Sequence, residues 1–154
     1  MKTLIVYDSV FGNTKTVAMA MEESMKEIGE ASAVHVGKYH QGLLEGVDLL
    51  VVGSPTRGFK PTKEVSEFLN MLPAGELAGI KVLAFDTRSD VKKIDNKVLN
   101  FMVKHFGYAA EPIGEKLVKK GGTLAKQPEG FIVNDTEGPL RDGEIERAKK
   151  WVKI

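Results

Sequence analysis

Cysteine is missing altogether. Without a thiol the chain cannot form a disulfide, attack as a thiolate or hold an iron–sulfur cluster through its own side chains. Long apolar runs are missing too. The densest, Leu49-Leu50-Val51-Val52, falls far short of the roughly 20 residues of a bilayer span. The start, Met1-Lys2-Thr3-Leu4-Ile5-Val6-Tyr7, meets Asp8 before the apolar segment of a signal peptide can form. The expectation is a soluble, cytoplasmic protein with no membrane partner. Neither sign of charge is in excess: 22 Lys and Arg face 21 Asp and Glu, a formal net charge of +1. Nucleic-acid binding asks for a concentrated basic face, and this balance gives no reason to expect one. The three histidines, His35, His40 and His105, are spaced too widely to suggest a zinc set of three or four ligands, so no metal site is expected.

What is present is enough to build a core. Apolar residues make up 42% of 154 residues, and no repeat, linker or low-complexity tract divides them. One domain over 1–154 is expected. Met1 to Tyr7 is a short apolar run that reads as a strand buried on both faces. Lys15 to Glu30 reads as a helix, with Val17, Ala18, Met21, Met25 and Ile28 on its inner face, Glu22, Glu23, Lys26 and Glu27 outside, and Gly29 at its end. Ala31 to Val36 reads as a second strand, and Gly37 to Gly46 as a short helix or irregular crossover. Val47 to Gly53 is the strongest strand. Thr62 to Leu72 reads as a helix carrying Val65, Phe68, Leu69 and Leu72 inward. Ile80 to Phe85 is a fourth strand, followed by Asp86 to Asp90. Further helices are expected over Ile94 to Phe106, Ala109 to Lys120 and Glu144 to Val152. Lys116 to Lys120 is a solvated face or a contact for an acidic partner, and Trp151 packs in the core. Thr123 to Lys126 and Gly130 to Val133 form one last strand with an irregular middle, or two short pieces. Strands alternating with helices imply an α/β fold, a parallel sheet covered on both sides.

The chemistry concentrates after the first strand. Asp8-Ser9-Val10-Phe11-Gly12-Asn13-Thr14 is small, polar and holds a glycine, and a helix follows. Strand, polar turn, helix points free backbone N–H groups at an anion. The amides from Val10 to Lys15, with the side chains of Ser9, Asn13 and Thr14, form a phosphate cradle in this reading. The plainer alternative is a capped helix start with Asn13 or Thr14 as the cap. Asp8 either points away from the anion or meets hydroxyl groups of the ligand. Ser54-Pro55-Thr56-Arg57-Gly58-Phe59 follows the third strand, on the edge where open parallel sheets bind ligands. Either it meets a ligand, or Phe59 anchors in the core and Arg57 is a surface charge.

Together, these two stretches resemble the flavodoxin family, with some features of the flavodoxin-like quinone reductases. The likeness runs through the whole chain. The family's phosphate loop has hydroxyl residues around a glycine; Ser9, Gly12 and Thr14 match it, and Phe11 stands where a hydroxyl is usual. Asp135-Thr136-Glu137-Gly138-Pro139-Leu140 is similar to a tail seen in some of these proteins. The resemblance implies a three-layer sandwich with a five-stranded parallel sheet of order 2-1-3-4-5 and bound FMN. It implies that Pro55, Thr56, Arg57, Gly58 and Phe59 wrap one face of the flavin. Gly58 matches a glycine beside flavin N5; Arg57 stands where flavodoxins often have tryptophan, and Pro-Thr-Arg followed by an aromatic is closer to the quinone-reductase branch. Asp86, Thr87 and Arg88 correspond to the second flanking loop, where relatives stack a tyrosine that this chain lacks. Arg88 is then either a cation near the flavin or a plain surface turn. The implied role is electron transfer between redox partner proteins, a flavoprotein reductase as donor and a protein as acceptor, with no catalytic side chain. The implied protein is a monomer or weak homo-oligomer. The alternatives are an FMN-dependent reductase of a quinone or small oxidant, and a flavin-free binding module.

Overall fold

The structure, a computed structural model, describes residues 1–89 and 107–154. The helix expected over 94–106 lies outside the described residues.

Four parallel strands, β1 (Lys2–Tyr7), β2 (Glu30–His35), β3 (Leu49–Pro55) and β4 (Lys81–Ser89), pair in the order β2-β1-β3-β4. The fifth place beside β4 is filled by two pieces in line, β5 (Thr123–Leu124) and β6 (Glu129–Val133). Both sequence alternatives for the last strand therefore describe the same object. Pro128 stands in the gap, where a residue without an N–H cannot continue a ladder. The sheet is the five-stranded parallel sheet of order 2-1-3-4-5, in a three-layer α/β sandwich.

Alternation along each strand builds the layers. Leu4, Val6, Leu50, Val52, Val82 and Ala84 face one way, under α2 (Lys63–Met71) and α3 (Ala110–Lys119). Ile5, Tyr7, Leu49, Val51, Leu83 and Phe85 face the other, under α1 (Asn13–Lys26) and α4 (Glu144–Trp151). Val17, Ala18, Met21 and Met25 lie on the buried face of α1 as their spacing predicts. Ile28 does not: it is half exposed, because the helix tightens into shorter turns at Glu27 and Ile28 and ends before it. Gly29 stands where any Cβ would strike the Met1 carbonyl, which accepts the Glu30 N–H at 3.0 Å. Glu22 is not purely a solvent residue; its carboxylate accepts the Ala33 N–H of the edge strand at 2.6 Å. Trp151 packs edge-on against Phe131 beside the second core cluster. The crossover from Gly37 to Gly46 is two short 3₁₀ turns. Thr62 caps α2, accepting the Val65 N–H at 3.3 Å.

The site-bearing boundaries moved. Asn13 and Thr14 belong to α1, Ser54 and Pro55 to β3, and Asp86 to Ser89 to β4. The stretch read as a loop from Asp86 is strand because β6 pairs with it residue by residue, Asp86 with Gly130 and Thr87 with Phe131.

Candidate functional site

The carboxyl ends of β1, β3 and β4 meet at a cavity of about 80 Å³. Val10, Phe11, Asn13 and Thr14 reach it from the first turn, Pro55, Thr56 and Arg57 from the second, and Thr87 and Arg88 from β4. Ser89, Val133 and Thr136 complete the wall. Ser9 and Gly12 face a neighbouring cavity of about 440 Å³, shared with Lys15, His35 and Lys38.

The first turn is shaped by Ser9 and Gly12. Ser9 Oγ accepts the N–H groups of Gly12 at 3.1 Å and Lys15 at 3.3 Å, drawing the backbone around itself. Gly12 has φ 94°, a left-handed conformation that glycine adopts without steric cost. It is also the helix cap residue, with no side-chain cap bond, so neither Asn13 nor Thr14 caps α1. Among the described residues the N–H groups of Val10, Phe11, Asn13 and Thr14 have no acceptor. Two side chains read as ligand donors are engaged within the protein. The Asn13 amide donates to the Glu137 carbonyl at 2.9 Å, and the Thr14 hydroxyl meets that of Thr87 at 2.8 Å in a buried contact.

Asp8 points away from the turn. Its Oδ1 accepts the Ser9 N–H at 2.8 Å and lies 3.0 Å from His35 Nε2. His35 Nδ1 accepts the Gly37 N–H at 3.0 Å, so in the neutral ring Nε2 carries the hydrogen and donates it to Asp8.

The second turn closes as a tight hairpin. Arg57 and Lys60 exchange both backbone hydrogen bonds, at 2.8 and 3.0 Å, around Gly58 and Phe59 with φ 54° and 67°. Phe59 is half-buried and is not one of the buried core residues. Arg57 is exposed, with its guanidinium 5.5 Å from the centre of the Phe11 ring. The Thr56 N–H donates to the Thr87 carbonyl at 3.0 Å, tying this turn to β4.

Arg88 is not a surface turn: it stands in β4 and lines the cavity. Its Nε and Nη2 each donate to the fully buried Asp86 carboxylate at 2.7 Å. Burial pushes the Asp86 carboxyl above its usual value, against the opposing pull of Arg88 and the Ala110 N–H. The Arg88 guanidinium lies 3.6 Å from the centre of the Tyr108 ring. An aromatic therefore stands beside this strand end although none lies within it. Its position, twenty residues along the chain, hides it from a reading of local sequence; Thr136 lies in the Asp135 to Leu140 stretch that the resemblance marked without a role.

With this geometry in place, the known proteins can be compared. The pattern of the flavodoxin domain matches residues 4–120. The chain belongs to the flavodoxin domain family. Its fold is that of an archaeal flavodoxin, with TM-score 0.73 and 20% identity over 99% of this chain and 94% of that one. Flavodoxin 2 from Bacillus cereus gives TM-score 0.73 and 21% identity, over 99% and 95%. The rubredoxin oxygen:oxidoreductase of Desulfovibrio gigas gives 0.72 and 18%; there 99% of this chain covers 34% of that one. Comparison by sequence with curated proteins returns no match.

Proposed function

We propose that this protein binds FMN non-covalently and carries electrons between redox proteins, taking them from a flavoprotein reductase and passing them to a protein acceptor. The carrying observation is the set of four acceptor-free amides, Val10, Phe11, Asn13 and Thr14, at the start of α1 and on one cavity. A phosphate dianion asks for dense N–H donors and the positive end of a helix, and this turn offers both. The residues thus fit the group. FMN, when bound, supplies the redox chemistry, accepting and releasing electrons. The chain binds and orients. Gly12 and Ser9 hold the amides in position, and the contacts from Thr87 to Thr14 and Thr56 hold the flanking turns at one spacing. Phe11 and Arg57 stand over the mouth. The cavity of about 80 Å³ is small beside the roughly 300 Å³ at which ligand pockets begin, so it would not enclose the whole cofactor as it stands.

The test is a titration with FMN and, in parallel, with riboflavin, which lacks the phosphate. FMN should bind at one per chain and riboflavin at least about tenfold more weakly, as expected for lost charge-assisted hydrogen bonds. No FMN binding overturns the proposal, and equal affinities place the phosphate elsewhere. A second reading, an FMN-dependent quinone reductase, draws on Arg57 standing exposed at the mouth. Turnover by the protein alone with NADH or NADPH and a quinone, at about 1 per second or faster, would move the assignment to that enzyme.

A further inference from the structure

The carboxyl edge of the sheet carries charged side chains of both signs, and they are paired differently. Two of its acids are engaged inside the protein: Asp8 with His35 and Asp86 with Arg88. The cations stay outside. Lys15 and Lys38 share the cavity beside the first turn, and Arg57 and Lys60 close the second turn. All four are exposed, and none has a carboxylate within 4.0 Å among the described residues. Lys63, just beyond, is paired with Glu67. Between these cations two large apolar side chains project, Val10 at 50% and Phe11 at 45% exposure. Exposed acids stand on this edge too among the described residues: Glu64 and Glu111 in the first turns of α2 and α3, Asp135 and Glu137 on the turn after β6, and Asp142 before α4. A chain of net charge +1 thus shows a local basic band around an apolar tip.

We propose that this band, Lys15, Lys38, Arg57 and Lys60 around Val10 and Phe11, is the docking surface for a partner protein with an acidic face. Complementary charge steers encounter and sets orientation, while the apolar tip supplies contact area. A nucleic acid asks for a denser basic face than four cations on an edge that also exposes acids. The inference rests on the carrier reading for the partner's purpose and on the surface alone for the contact.

The probes are cytochrome c, which is basic, and its succinylated form, which carries the same haem on an acidic surface. Each is titrated into isotopically labelled protein, with and without FMN, while amide shifts are followed. The succinylated form should bind, shifting Val10, Phe11, Lys15 and Lys60, and weaken steeply between about 20 and about 200 mM salt. Native cytochrome c should not bind. Lys38→Glu with Lys60→Glu, both exposed and outside the phosphate cavity, should weaken binding at least about tenfold without changing thermal stability. Lys38→Gln with Lys60→Gln should give an intermediate loss. Tighter binding of the native form, shifts elsewhere, indifference to the charge reversals, or tighter binding of a single-stranded oligonucleotide would each overturn the proposal. A protein that refuses FMN yet binds the acidic probe here refutes the carrier reading and keeps the surface. A loaded protein that ignores the probe refutes the surface alone.

Discussion

Glu144 shows how much one residue can carry. It opens α4, yet it is 3% exposed. Its carboxylate accepts the Ile132 N–H at 2.6 Å and Arg147 Nε and Nη2 at 2.9 and 2.7 Å. Burial pushes the carboxyl up; the bonds from Arg147 and Ile132, with the charges of Arg147 and Arg141, outweigh it and hold it below the usual glutamate range. A depressed carboxylate stabilises the fold above its unfolded value, about 4.3, and loses that contribution as pH falls through the lower folded value. Glu144→Gln should cost about 2 kcal/mol at neutral pH. It should also flatten the loss of stability below about pH 4. Urea midpoints of both proteins between pH 7 and pH 3 check this, and parallel curves would refute it. Gly12 makes a different demand. Nothing lies within 4 Å of the place its Cβ would take, so only its φ of 94° resists a side chain. Gly12→Val should destabilise by about 1–2 kcal/mol and weaken FMN binding as the turn shifts. Unchanged FMN affinity in a folded variant would separate the turn from the phosphate.

Between elements, the contacts that hold the site are polar and buried. Thr14 on α1 and Thr87 on β4 share one hydroxyl contact at 2.8 Å. Thr87→Val leaves the Thr14 hydroxyl without its partner and should cost about 1–3 kcal/mol. Thr14→Val with Thr87→Val should cost less than the sum of the single changes, by about 1 kcal/mol. A denaturant double-mutant cycle reads this coupling, and strict additivity would remove the contact's role in joining helix to strand. Gly130 serves the neighbouring strand pair. A Cβ there would strike the Arg88 guanidinium, which lies over Gly130 where it pairs with Asp86. Gly130→Ala should therefore displace Arg88 and leave Asp86 buried without its cation, a loss of about 3 kcal/mol or more. Thermal unfolding checks it, and an unchanged Tm would refute it.

For the whole molecule, the sheet's carboxyl edge is where loose ends converge, and ligand binding should stiffen it as a unit. FMN at one hundred times its Kd should add about 2.7 kcal/mol to the free energy of unfolding. For a chain of this size that is about 5–10 °C in Tm. The same concentration of riboflavin should give a much smaller shift. Equal shifts would mean that the ring alone, without the amides of the first turn, supplies the binding energy.

Much of this was legible along the chain. β1 and β3 are continuous apolar runs, so burial on both faces followed from composition. Val17, Ala18, Met21 and Met25 marked the inner face of α1 by their spacing, and Thr62 marked the cap of α2. Ser9 and Gly12 identified the turn because a polar stretch between strand and helix has few other uses. What the sequence could not tell was where polar side chains would spend their hydrogen bonds. Asp8 turned to His35 across the paired ends of β1 and β2, Thr14 to Thr87 where α1 packs on the end of β4, and Asp86 to Arg88 two residues on, along one face of that strand. Parallel pairing also drew Asp86 to Ser89 into a strand, and brought Tyr108, Val133 and Thr136 to the site. Apolar periodicity is local, because each residue faces water or core one turn at a time. Hydrogen-bond partnership depends on a few ångströms between distant segments, and only the packed sheet determines it.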